Sequence, residues 1–291
     1  MSSLTFRRVA LLVGVIALLV PLAASAGGGK KYAAKRVATL DALKREIYAT
    51  DDQGNLLSFR AAVPQIVRSK QITGLPAGVT LKGIDFRPAT GDLYALGSDR
   101  VVYRVNPRTA IALAEGRAFE SMANALTGDR IGFDFNPTVD RIRVTSDADD
   151  NLRLVPDTGA LAAKDTSLTP ADVTVVGSAY TNSSFAAFAN RPATTMLFAY
   201  DVSGSRDRIW LQQPANDGTL MNAKSVGLQL GSDVGFDIAG SSNAGYVAGT
   251  SVGRSGADLY QVDVNTGETR RLGRIGSGNT TITGLAAWQD S

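Results

Sequence analysis

The stretch Leu81–Ala110, LKGIDFRPATGDLYALGSDRVVYRVNPRTA, constrains the chain more than any other, because the chain repeats its pattern. It holds three short apolar runs, Gly83–Phe86, Leu93–Leu96 and Val101–Val105, and a fourth, Ile111–Ala114, follows. Turn signals separate them at Pro88–Asp92, Gly97–Arg100 and Asn106–Ala110. Runs this short, punctuated by Gly, Pro, Asp and Asn, predict a four-stranded antiparallel meander.

Other copies stand on either side. The first unit carries strands at Ile47–Thr50, Leu56–Arg60 and Ile66–Ile72, after an opening segment Val37–Leu40. The third matches the second closely: Gly132-Phe133-Asp134-Phe135 stands where Gly83-Ile84-Asp85-Phe86 stood, and Pro137 matches Pro88. The fourth is the least regular. Its inner strand is read either at Ala179–Asn182 or at Ala187–Asn190, since Arg191-Pro192-Ala193-Thr194 echoes Arg87-Pro88-Ala89-Thr90. Met196–Tyr200 and Ile209–Gln213 follow as strands. The fifth begins at Val234-Gly235-Phe236-Asp237-Ile238 and ends at Arg270–Gly273.

One piece is left over. Ile282–Trp288 reads as an inner strand with no unit after it, and the first unit lacks an inner strand. Joining the two closes a ring and removes the open edges of a linear array. A repeat of roughly 50 residues with four strands per unit fits a β-propeller. The expected fold is all-β, a propeller of five four-stranded blades closed by the C-terminal strand, with six blades as the second choice. The glycines before Asp85, Asp134 and Asp237, with Gly284, fall where blades crowd the axis and a side chain would collide.

The first residues read as an address. Arg7 and Arg8 precede Val9–Leu22, an almost wholly apolar run too short for a comfortable membrane span, and Ala24-Ser25-Ala26 is a small-x-small cleavage site. Residues 1–26 are therefore expected to be a signal peptide, 27–39 a basic flexible linker, and 40–291 a single propeller domain, secreted or periplasmic, with no membrane span after cleavage. The whole chain is +3. Arg7, Arg8 and the four cations Lys30, Lys31, Lys35 and Arg36 more than account for that, so the propeller itself is mildly acidic and nucleic acid is not an expected partner.

The motifs FRPATGDLYALGS, NLRLVPDTG, QPANDGTL, VGFDI and LYQVDVNTGETRRLG, in this order, resemble the secreted bacterial domain-of-unknown-function 4394 family. The resemblance covers nearly all of 40–288. It implies an exported, propeller-like domain and supplies no reaction, ligand or catalytic residue. The region 183–195 is longer than the family pattern leads one to expect.

The chain has no cysteine and no histidine. That removes disulfides, thiol nucleophiles, a Ser-His-Asp triad and histidine zinc sites. Carboxylates and oxygen-ligated cations remain. Asp85, Asp134 and Asp237 hold the same position in three inner strands, so propeller symmetry brings them near the axis. There they act as structural pins for backbone N–H groups, as ligands for Ca²⁺ or another hard cation, or as an acid–base pair of the glycoside-hydrolase kind. Asp147, Asp149 and Asn151 open like a calcium loop, but Leu152 replaces the required glycine and Thr158 the bidentate Glu. A hairpin turn explains them better. Trp210 and Trp288 are the aromatics to watch, Trp288 as part of the closure.

The function read from these residues is a monomeric binding or scaffold propeller of unknown ligand, with no catalytic signature and no required cofactor, Ca²⁺ being the one possible ion. The alternatives are a glycan-active hydrolase using channel-facing Asp residues, and a surface adhesion or assembly module.

Overall fold

The structure, a computed structural model, describes residues 45–116, 125–186, 188–240 and 242–288. The expected signal peptide, the basic linker and the segment Val37–Leu40 lie outside the described residues. No helix among the described residues is long and apolar enough to cross a membrane.

Among the described residues, twenty strands form five four-stranded antiparallel sheets. Blade 1 contains β1 (Glu46–Asp51), β2 (Asn55–Arg60) and β3 (Arg68–Gln71). Blade 2 contains β4 (Leu81–Phe86), β5 (Leu93–Gly97), β6 (Val102–Val105) and β7 (Ala112–Ala114). Blade 3 is β8 (Ile131–Asn136), β9 (Arg141–Ser146), β10 (Asn151–Leu154) and β11 (Leu161–Lys164). Blade 4 is β12 (Val175–Tyr180), β13 (Leu197–Asp201), β14 (Arg208–Gln212) and β15 (Leu220–Ser225). Blade 5 is β16 (Leu230–Ala239), β17 (Ala244–Ser251), β18 (Asp258–Val262) and β19 (Thr269–Arg274). The last strand, β20 (Ile282–Ala287), pairs with β1 and supplies the inner strand of blade 1. The inner strands β20, β4, β8, β12 and β16 touch in a ring. The fold is thus the expected five-bladed propeller, closed by its C-terminal strand.

Two expectations about elements change. The third strand of blade 1 spans only Arg68–Gln71, since Ile66 sits in the preceding turn, 67% exposed. The inner strand of blade 4 is Val175–Tyr180, which shares only Ala179 and Tyr180 with one reading and nothing with the other. Phe188–Asn190 is a short 3-10 turn, and Arg191–Thr194 lies in a loop.

The blade-4 strand hides because its seam differs from the rest. Aligned on the axial glycine, the following residue is Ile84, Phe133, Phe236 or Leu285 in four blades but Ser178 in blade 4. The seams between blades 1 and 2, 2 and 3, 4 and 5, and 5 and 1 are each filled by a large apolar cluster. The seam between blades 3 and 4 is polar. Arg143, 2% exposed, donates to Asn151 at 2.7 Å, Asp165 at 2.7 Å, Asn216 at 2.8 Å and Tyr180 at 3.3 Å. Thr145 and Ser178 share a hydrogen bond beside it. A buried guanidinium is tolerated only when its donors are met, and here three polar side chains and a tyrosine meet them.

The glycine ring works as expected, with Gly177 as its fifth member. A Cβ on Gly83 would stand 2.6 Å from the Phe133 Cβ, one on Gly132 2.6 Å from the Ser178 backbone N, and one on Gly235 2.5 Å from the Leu285 Cβ. Each blade thus leans its inner strand on the backbone of the next.

Candidate functional site

The fold brings Asp85, Asp134 and Asp237 together. Each is buried, and one oxygen from each lies within 4.8 Å of the others. They form the only such acidic cluster found among the described residues. The fivefold pattern puts alanines at the other two positions, Ala179 and Ala286.

The hydrogen bonds of this layer close completely. Five backbone N–H groups follow the five axial positions, and three carboxylates accept all of them. Asp85 takes Phe135 N from blade 3 at 2.9 Å and its own neighbour Phe86 N at 2.6 Å. Asp134 takes Tyr180 N from blade 4 at 3.1 Å. Asp237 takes Ala287 N from blade 1 and Ile238 N, both at 2.6 Å. Where the preceding blade carries alanine, at Phe86 and Ile238, the residue's own blade supplies the carboxylate. The Asp134 and Asp237 carboxyls lie side by side in this layer, each with an oxygen within 4.8 Å of the other.

Burial drives the protonation. It pushes Asp85 and Asp134 well above the usual carboxylate range, with the neighbouring carboxylates adding to the rise. Burial raises Asp237 only to about 6, because the N–H groups of Ala287 and Ile238 stabilise its charge.

The void at the glycine ring is about 10 Å³, the size of one water at most. At the start of the inner strands the mouth holds about 30 Å³ beside the Arg130–Asp233 ion pair, 2.9 Å long. At the other end the long connection between β12 and β13 crosses the axis. Ala186 N donates to Pro88 O of blade 2 at 3.1 Å, and Phe185 packs on Trp288 with ring centroids 4.9 Å apart. Asn182 and Asn243 exchange hydrogen bonds at 2.8 and 3.0 Å. The extra length at 183–195 thus spans from blade 4 to blades 1 and 2. Trp288 also packs edge-on against Phe86, and its N–H donates to Glu46 O beside the closing strand.

Asp147, Asp149 and Asn151 sit apart from the triad, around the hairpin between β9 and β10. Asp147 accepts Asp129 N at 2.9 Å, and Asp149 has a left-handed backbone at φ 62°. Asn151 is buried in the polar seam, accepting from Arg143 and donating to Thr166 O at 2.9 Å and Ala215 O at 3.0 Å. Asp147 also accepts Arg130 N at 3.2 Å, so it ties the hairpin to the segment before β8, whereas Asn151 bonds across the seam. Trp210 packs against Arg208 and donates to Asp201 at 2.9 Å.

Sequence reasoning missed a groove of about 250 Å³ between blades 1 and 2. Tyr48, Ser58 and Arg68 lie directly opposite one another across β1, β2 and β3, and Lys70 pairs with Leu56 on the same face. The hairpin at Pro107–Arg108 forms the far wall, clipped by Lys70 Nζ donating to the Arg108 carbonyl. The signal available in the sequence was the basic strand Arg68-Ser69-Lys70; its meeting with Arg108 is tertiary.

Comparisons with known proteins follow the fold. A structural genomics protein of unknown function from Bacteroides thetaiotaomicron is 14% identical with a TM-score of 0.47, over 79% of this chain and 57% of that one. The Dos1 propeller is 12% identical with a TM-score of 0.41, over 78% of this chain and 57% of that one. YCF48 bound to D1 peptide is 10% identical with a TM-score of 0.39, over 78% of this chain and 77% of that one. This chain thus spans little more than half the length of the first two. No curated protein matches the sequence. The family model for the domain of unknown function DUF4394 matches residues 55–286, nearly the whole ring, and the chain belongs to that family.

Proposed function

We propose that this chain is an exported, monomeric binding or scaffold protein whose ligand meets the outer surfaces of the blades. One observation carries the reading: all three axial carboxylates accept backbone N–H groups of the inner strands, three from the next blade and two from their own. A hydrolase of the two-carboxylate kind needs raised acids facing a substrate. Asp85 and Asp134 are raised, but both are buried and hold backbone N–H groups of neighbouring strands. Export rests on Arg7-Arg8, the apolar run Val9–Leu22 and the Ala24-Ser25-Ala26 site.

A hard cation at the triad is the second reading, favoured by three oxygens within 4.8 Å. Two measurements test both. Incubation with chromogenic glycosides and esters is expected to give no turnover; turnover abolished by Asp134→Asn overturns the binding reading. Thermal melting with EDTA, then with Ca²⁺, Mg²⁺ or Mn²⁺, is expected to leave the midpoint unmoved. A rise with one cation that Asp85→Ala removes assigns a metal to the axis instead.

A further inference from the structure

The groove between blades 1 and 2 has a chemistry unlike the rest of the surface. Its floor is apolar: Leu56 is buried and Tyr48 half-buried, its ring edge-on to Phe86 at 5.2 Å. Its rim carries Arg68, Lys70 and Arg108 against one acid, Glu46. The Arg68–Glu46 contact is long, at 3.6 Å, and its side chains are 81% and 39% exposed, so water screens it. The Arg108 guanidinium has no acid partner among the described residues. The Tyr48 hydroxyl senses this rim: burial and Glu46 raise its pKa, while Arg68 and Arg108 lower it.

An anion alone would leave the floor wet, and an apolar molecule would leave the guanidinium groups without partners. A pyranose ring bearing a carboxylate answers both. Its C–H face lies on tyrosine and leucine, its hydroxyls reach Ser58, and its carboxylate takes the planar fork of arginine. The volume of about 250 Å³ lies just below the range of drug-sized pockets, as suits one sugar ring.

We propose that this groove binds a uronic acid, the negatively charged unit of an acidic polysaccharide, with Arg68 and Arg108 holding the carboxylate and Tyr48 the ring. The inference rests on the binding reading above and names its ligand class.

Calorimetric titration of the purified chain tests it, with trigalacturonate, its methyl ester, free galacturonate, inorganic phosphate and pentaglutamate as probes. Trigalacturonate is expected to bind, more weakly as salt is raised. The methyl ester and the Arg68→Ala/Arg108→Ala double variant are each expected to lose about tenfold or more in affinity. Both side chains are on the rim, so the variant's melting midpoint should match the parent; if it does not, Arg108→Gln replaces it. Free galacturonate binding as tightly as the trimer identifies a monosaccharide site, and weaker binding a polymer site; either supports the groove. No binding of any uronate, equal binding of ester and acid, an unaffected variant, or equal binding of phosphate or pentaglutamate overturns it. Loss of the groove in this way leaves the non-catalytic reading standing, whereas shortened trigalacturonate recovered from the titration cell defeats that reading separately.

Discussion

Asp134 carries the most information per atom in this fold. Its pKa, like those of Asp85 and Asp237, is raised in the folded state, first by burial. A raised carboxyl binds more protons folded than unfolded. Its contribution is fully present below the unfolded value and is lost as pH rises through the folded one. For Asp237 that loss is centred on about 6, and for the other two it lies higher than the usual range. Asp165 behaves oppositely. Burial opposes its charge, but Arg153 and Arg143 outweigh burial and hold it low, so its contribution is lost only as pH falls below the usual carboxylate range. Melting midpoints are expected to fall between about pH 5 and pH 8. Asp134→Asn, which keeps an acceptor for Tyr180 N without a titrating proton, should flatten that fall. Asp134→Ala strands the Tyr180 N–H and is expected to cost about 1–3 kcal/mol; a midpoint that follows pH identically in all three proteins would contradict the assignment. The aspartates themselves were legible, since they recur at one position of an apolar run. Their partners were not, because each accepts from a strand about fifty residues away.

At the scale of the element, inner strands are defined by what they lean on. Gly132 faces the Ser178 backbone, which cannot move aside without shifting all of β12. Gly132→Ala is therefore expected to destabilise by about 1–3 kcal/mol or more, read as a drop in the urea midpoint with little change in slope. An alanine tolerated there would mean that the seam is looser than its hydrogen bonds suggest. The same seam explains why blade 4 resisted sequence reading. A strand is recognised by bulky apolar residues, and β12 faces blade 3 with Ser178 and Tyr180 because Thr145 and Arg143 stand opposite. The local pattern was weakened to suit a polar neighbour, and that neighbour belongs to another blade. In blades 2, 3 and 5 the seam with the preceding blade is apolar, so Gly-apolar-Asp survives and the strands were plain.

For the whole molecule the decisive contact is between the ends. β20 buries Ile282, Leu285, Ala286 and Ala287 and pairs with β1 along nearly its full length. Truncation after Gly278 exposes that surface and opens two strand edges. Without disulfides to hold the ring, cooperative unfolding should collapse into a broad transition; a sharp, unchanged melt would rule out closure as the source of cooperativity. The sequence by itself determined the repeat, the number of blades, the glycine ring, the three axial aspartates and the orphan C-terminal strand, because each is written in local periodicity or in a residue type with a single steric use. Only the tertiary structure decided where β12 begins, which N–H each carboxylate serves, how the long blade-4 loop seals the axis, and that Arg68, Lys70 and Arg108 share a groove. Those depend on which faces meet between blades, and a face-to-face contact between distant segments leaves no period in the chain.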